Sequence, residues 1–182
     1  MVVMRSVAAR ILLAIAVSVA ALTSATLPAG AADRDRATAT AQAGLATDWA
    51  AWQREMLRSV NAMRAKVGAR PVRLCASLNR AAQDYAQLMG ESNHFDHTGP
   101  DGTSPGDRIE AAGYQGWRTY GENIAAGQVD VADVMAAWRD SPGHYRNIIR
   151  PSFRHLGVGF ATVDGSEYGT YWVQNFGAGG TC

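Results

Sequence analysis

Glu122 and His144 are the two residues of this chain whose surroundings favour chemistry over packing. Glu122 lies in Gly121-Glu122-Asn123-Ile124-Ala125, and His144 in Ser141-Pro142-Gly143-His144-Tyr145-Arg146-Asn147. Glycine, proline and asparagine shape backbone there rather than fill core. A carboxylate and an imidazole together can hold a divalent cation or move a proton. If Ser141 caps a helix and Pro142 takes its first position, His144 falls in the first turn, where the helix dipole disfavours the imidazolium. The neutral ring is the form a metal needs. The plainer readings are a structural histidine and a buried carboxylate accepting backbone N–H bonds. Asn123 and Asn147 suit local backbone hydrogen bonding.

Other chemistries are excluded by context. Gly102-Thr103-Ser104-Pro105-Gly106 matches a nucleophile elbow in letters, but no apolar strand precedes it and Ser104 is better explained as a helix cap. There is no H-E-x-x-H, no phosphate-cradling glycine loop and no dinucleotide fingerprint, hence no nucleotide cofactor.

The positioning elements begin after a leader. Arg5 and Arg10 precede an apolar run from Ile11 to Leu22 that ends in small residues, the pattern of a signal peptide over residues 1–32; an uncleaved anchor is the alternative. Without residues 1–32 the chain keeps 15 basic and 16 acidic residues. This near balance, scattered along the sequence, leaves no nucleic-acid footprint. Residues 33–46 are Ala, Thr, Asp and Arg with almost no large apolar side chain, and read as a flexible linker. Residues 47–182 are enough for one domain. No later segment could span a membrane, and a monomer is expected.

Trp49, Trp52, Met56, Val60, Met63 and Val67 recur at helical spacing before Gly68, and Leu74, Leu78, Ala81, Tyr85 and Leu88 do so before Gly90. A short helix follows Ser104, with Pro105 at its first position and Asp107 able to complete a capping box. A fourth runs from Asp130 to Trp138. Leu156–Thr162 and Tyr168–Phe176 read as a hairpin about Asp164-Gly165. A further extended segment around Glu122–Ala125 completes a small antiparallel sheet with helices packed over it, an α+β fold. Cys75 and Cys182, an even pair in a secreted chain, predict one disulfide; two free thiols are the competing reading.

In order, Asn61 with Arg64, Leu74 to Tyr85, Phe95-Asp96-His97-Thr98, Gly121-Glu122-Asn123-Ile124-Ala125, Trp138 with Ser141-Pro142-Gly143-His144, Gly157-Val158-Gly159 and Tyr171-Trp172-Val173-Gln174-Asn175-Phe176 resemble the CAP superfamily. This is the SCP domain of cysteine-rich secretory proteins, antigen 5 and pathogenesis-related protein 1, here in its short bacterial secreted branch. The resemblance implies a three-layer α-β-α sandwich and a cleft in which His97 matches the first histidine, Glu122 the first acid and His144 the second histidine. In some members that cleft binds zinc or another divalent cation. The second acid is missing: its place is Ser141, with Asp140 beside it as a substitute. His94 could stand in for His97, and His155 falls at a strand end without a role. The expected function is an extracellular or wall-associated binding module with His97, Glu122 and His144 as metal ligands and Asp140 and Asn123 in the cleft. Its ligand would be wall polysaccharide, lipid or protein. The alternatives are a zinc-dependent hydrolase with Glu122 as general base, and a structural domain with an idle cleft.

Overall fold

The computed structural model describes residues 29–182, so residues 1–28 of the leader reading lie outside the described residues. The chain divides into two units, with the boundary between Ala41 and Gln42. The second carries the sheet and the candidate site.

Helix α1, Ala29–Lys66, starts well before Trp49. The stretch 33–46, read as linker for want of apolar side chains, is helical here; its alanines have the highest intrinsic helix propensity, which an argument from burial alone overlooks. The core stripe of α1 is the expected one, Met56 and Val60 being fully buried. Val67 departs from it: one residue past the helix end, it is 49% exposed.

After α1 come β1 (Arg73–Leu74), α2 (Ala76–Glu91), α3 (Pro105–Ala111), β2 (Thr119–Ala126), α4 (Val131–Asp140), α5 (Pro142–Ile149), β3 (His155–Thr162) and β4 (Thr170–Ala178). The capping box on α3 forms as the sequence predicts: the Asp107 N–H donates to Ser104 Oγ at 3.2 Å, and the Ser104 N–H donates to Asp107 Oδ2 at 2.9 Å. Leu74, expected at the start of α2, is instead in β1. Tyr168, expected to open the last strand, precedes it and is exposed.

The sheet order is β1-β3-β4-β2, antiparallel except for the two-residue parallel pairing of β1 with β3. Strand alternation divides the core between two faces. Leu156, Val158, Trp172 and Phe176 pack with Met56, Val60, Val134, Met135, Trp138 and Ile148 of α1, α4 and α5. Tyr171, Val173, Ile124 and Ala161 pack with Ala82, Tyr85 and Met89 of α2. Gly157 and Gly159 point at α2, and a Cβ on either would stand 2.2 Å from backbone carbon of Leu78 or Ala82. Their lack of a side chain is what lets α2 lie against β3. The result is the three-layer α-β-α sandwich.

Three further devices close the domain. Arg64, fully buried, donates to the carbonyls of Arg70, Ile148, Arg150 and Phe153 at 2.7–3.2 Å, tying the end of α1 to the end of α5. Asn61 exchanges two bonds with the backbone of Val72, which accounts for the Asn61 and Arg64 spacing. The predicted disulfide joins Cys75 to Cys182, 107 residues apart. Among the described residues no helix is long and apolar enough to cross a membrane.

Candidate functional site

Strand β2 lies at the edge of the sheet, and the candidate residues gather along it from both faces. Glu122 alternates with Asn123 and so shares the α2 face with Ile124, while Asn123 points to the α1, α4 and α5 face with Ala125. His97 comes from the loop after α2. His144 comes from the first turn of α5, where Pro142 holds the first helical position as predicted; Ser141 occupies the cap position without a side-chain cap bond.

On the first face the Glu122 carboxylate, its side chain 2% exposed, is fully engaged. Oε1 accepts from His97 Nδ1 at 2.8 Å, and Arg108 Nη2 donates to Oε2 at 2.9 Å and to Oε1 at 3.1 Å. The same guanidinium donates to the carbonyls of His97 and Thr103, each at 2.9 Å, and lies 3.4 Å from the centroid of the Tyr85 ring. Its Nε is buried without a partner. Tyr85 in turn donates its hydroxyl to the Asp96 carbonyl, and burial pushes that phenol up to about 12. The hydrogen bond that His97 donates to Glu122 raises the His97 pKa against the opposing effect of burial. A carboxylate can only accept, so Nδ1 carries the proton and the Nε2 lone pair of the neutral ring is left for another partner.

On the second face Asn123, fully buried, donates to the His144 carbonyl at 3.2 Å and to Gln174 Oε1 at 3.1 Å. Asn147 donates to the Glu122 carbonyl at 3.1 Å and to Asn123 Oδ1 at 2.9 Å. Two asparagines thus lock α5 to the edge strand and fix His144 beside it. Burial, and then the charge of His97, lower the His144 pKa. The neutral ring expected from the helix dipole is the favoured form.

The structure therefore brings His97 onto Glu122, and His144 within electrostatic reach of His97. It does not gather the donor atoms of His97, Glu122 and His144 within 4.8 Å of one another. The physical reason is that they approach an edge strand from opposite faces, and Arg108 already occupies Glu122. Asp140 is not brought in: it is the last residue of α4, its side chain is 68% exposed, and it pairs with Arg139 at 2.8 Å, which holds its carboxyl below the usual range. His94 turns away to the Thr98 carbonyl at 2.7 Å.

One group of three potential ligand side chains does lie together among the described residues: Cys75, His155 and Cys182. The two sulfurs are bonded to each other and so are not thiolates, and His155 Nδ1 meets the Tyr114 hydroxyl at 2.8 Å. The group does not suit a metal while the disulfide stands. His155, expected to have no role, is a buried partner of Tyr114.

Sequence reasoning missed Arg108, Tyr85 and Gln174. A signal for Arg108 was present: between Arg80 and Arg118 it is the only basic residue, among six acids before Glu122. A lone cation in an acidic stretch is a candidate for a buried pair.

A helix-sheet-helix sandwich with two histidines and an acid along its edge strand defines the class. The family model of the cysteine-rich secretory protein family, CAP, matches residues 57–176, and the chain belongs to that family. It is 37% identical over 126 residues to the uncharacterized protein YkwD of Bacillus subtilis (strain 168), a match covering 69% of this chain and 47% of that one. A crystal structure of an extracellular protein containing a SCP domain from Bacillus anthracis aligns with TM-score 0.61 and 26% identity, over 69% of this chain and 39% of that one. An outer surface protein of Borrelia burgdorferi shares the fold, with TM-score 0.62 and 24% identity over 69% of this chain and 91% of that one. The match to YkwD thus spans about half of that relative's length, and the match to the Bacillus anthracis protein less than half of it.

Proposed function

We propose that this is a secreted CAP-domain binding module whose edge-strand cleft takes a divalent cation, zinc foremost, on His97 and His144. Glu122 serves as the carboxylate that orients His97 rather than as a direct ligand. The observation that carries this reading is the 2.8 Å bond from His97 Nδ1 to Glu122 Oε1. A carboxylate behind one ring nitrogen fixes the tautomer and leaves the other nitrogen as a metal donor. The lowered pKa of His144 supports the same use, because a ligand histidine must be neutral. Two imidazoles leave coordination positions for water or for an extracellular ligand. Glu122, buried and paired with Arg108, is poorly placed as the general base of a hydrolase, which speaks for binding over turnover. Secretion is supported by the leader pattern, by the disulfide and by the word extracellular in the name of the Bacillus anthracis relative.

Calorimetric zinc titration of metal-stripped protein lacking residues 1–32, at neutral pH, tests the reading. One saturable site is expected, lost in His97→Ala and in His144→Ala and weakened roughly 10–100-fold in Glu122→Gln. No binding by the parent protein, or binding indifferent to both histidines, overturns it.

A further inference from the structure

The near balance of charge conceals a segregation that the fold turns into a surface. Residues 56–83 and 141–163 together contain nine basic residues and no acid, whereas residues 84–133 contain nine acids and only Arg108 and Arg118. The two acid-free segments are brought together in space. Arg64 of the first donates to three carbonyls of the second, the Arg73 N–H donates to the Arg154 carbonyl at 3.1 Å, and β1 pairs with β3. Lys66, Arg70, Arg73, Arg146, Arg150 and Arg154 are exposed around this junction, and among the described residues none of them has a carboxylate partner. A groove of about 650 Å³ runs through it between Val67-Gly68-Ala69 and the α5 end, flanked by Arg146 and Arg150. A second groove, of about 390 Å³, is lined by Arg73 and Arg154.

Six neighbouring cations with no internal counter-charge repel one another, and a bound anion removes that repulsion. Five of the six are arginines, whose guanidinium presents paired donors suited to phosphate oxygens. The features that would single out other polyanions are missing from this face. Among the described residues the exposed large apolar side chains are Val67, Phe95, Val129 and Tyr168, and only Val67 lies here. Among the described residues no exposed aromatic side chain lies on this face for bases to stack on, and one valine is too little to insert into a bilayer.

We propose that this face binds a linear polyanion of linked phosphates, which would dock the domain on a phosphate-bearing polymer. The probe is inorganic polyphosphate, measured by fluorescence anisotropy at several salt concentrations, with single-stranded RNA of matched charge and neutral and anionic phospholipid vesicles as parallel arms. Polyphosphate binding should weaken steeply with salt, the slope of log K against log salt falling by about 0.7–1 for each arginine removed. The double variant Arg70→Glu/Arg146→Glu should lose at least about tenfold in affinity, and Arg54→Glu, outside the face, should bind as the parent does. If the double variant fails to fold, Arg70→Ser/Arg146→Ser carries the same comparison. Absence of polyphosphate binding at low salt, affinity unmoved by charge reversal, or tighter binding to RNA or to vesicles would each overturn the proposal.

Discussion

Arg108 and Glu122 form a buried ion pair between α3 and the edge strand, and the same arginine donates to the backbone carbonyls of His97 and Thr103. One side chain thus sets the carboxylate, the loop that carries the first histidine and the start of α3.

Removing the cation strands the carboxylate. Arg108→Met should cost about 3–5 kcal/mol, the range for breaking a buried pair by deleting one partner. Arg108→Lys should recover only part of that, because one ammonium cannot reach the Glu122 carboxylate and both carbonyls. Urea unfolding of both variants checks this; a loss below about 1 kcal/mol in Arg108→Met would show the pair to be solvated.

Glu122→Gln should return the His97 pKa toward its ordinary value, because the Glu122 bond is the largest cause of its elevation. The folded-state pKa of His97 lies above the unfolded one, so its stabilising contribution is complete below the unfolded value and fades as pH rises through the raised one. The stability gap between the parent and Glu122→Gln should therefore narrow with increasing pH across that window. Proton NMR titration of the His97 ring gives the shift, and unfolding at a series of pH values gives the sign.

His155 behaves in the opposite sense. Burial, and then the charge of Arg73, lower its pKa. Its neutral form suits the fold, and stability should fall as pH drops below the unfolded value, about 6.5, and through the lowered one. His155→Asn should flatten that part of the acid limb while losing the bond to Tyr114. An acid limb of unchanged steepness would show that His155 does not drive it.

Gly159→Ala should be among the most damaging small substitutions in the sheet. The added methyl would meet the backbone of Ala82 at 2.2 Å, where no rotamer change gives relief. A cost at or above the usual 1–3 kcal/mol of overpacking is expected. Gly165→Ala has open space around it but a φ of +77°, so it should cost only the roughly 1 kcal/mol of a left-handed backbone. Thermal melts of the two variants separate clash from strain.

Much of this architecture is legible where burial writes a period into the residues. Met56 with Val60 on α1, Val134 with Trp138 on α4, and the Ser104 capping box are visible in the letters because each follows from local geometry. What escaped has non-local causes. β1 is only two residues long and exists because β3 is there to pair with it. Gly157 and Gly159 look like weak strand residues until α2 is laid across them. Nothing in the letters around Glu122 announces its pairing with Arg108, 14 residues away. The cationic surface was invisible for the same reason: a tally along the chain cannot tell that the stretch from Arg64 to Arg73 meets the stretch from Ile148 to Arg154.

The last strand lies inside the sheet. β4 sits between β2 and β3, so until residues 170–178 have been synthesised the two earlier strands have no common neighbour and the core beneath Trp172 and Phe176 cannot close. A nascent chain of this topology cannot complete its sheet until nearly all of its residues have been made, so its closure is a late event in synthesis.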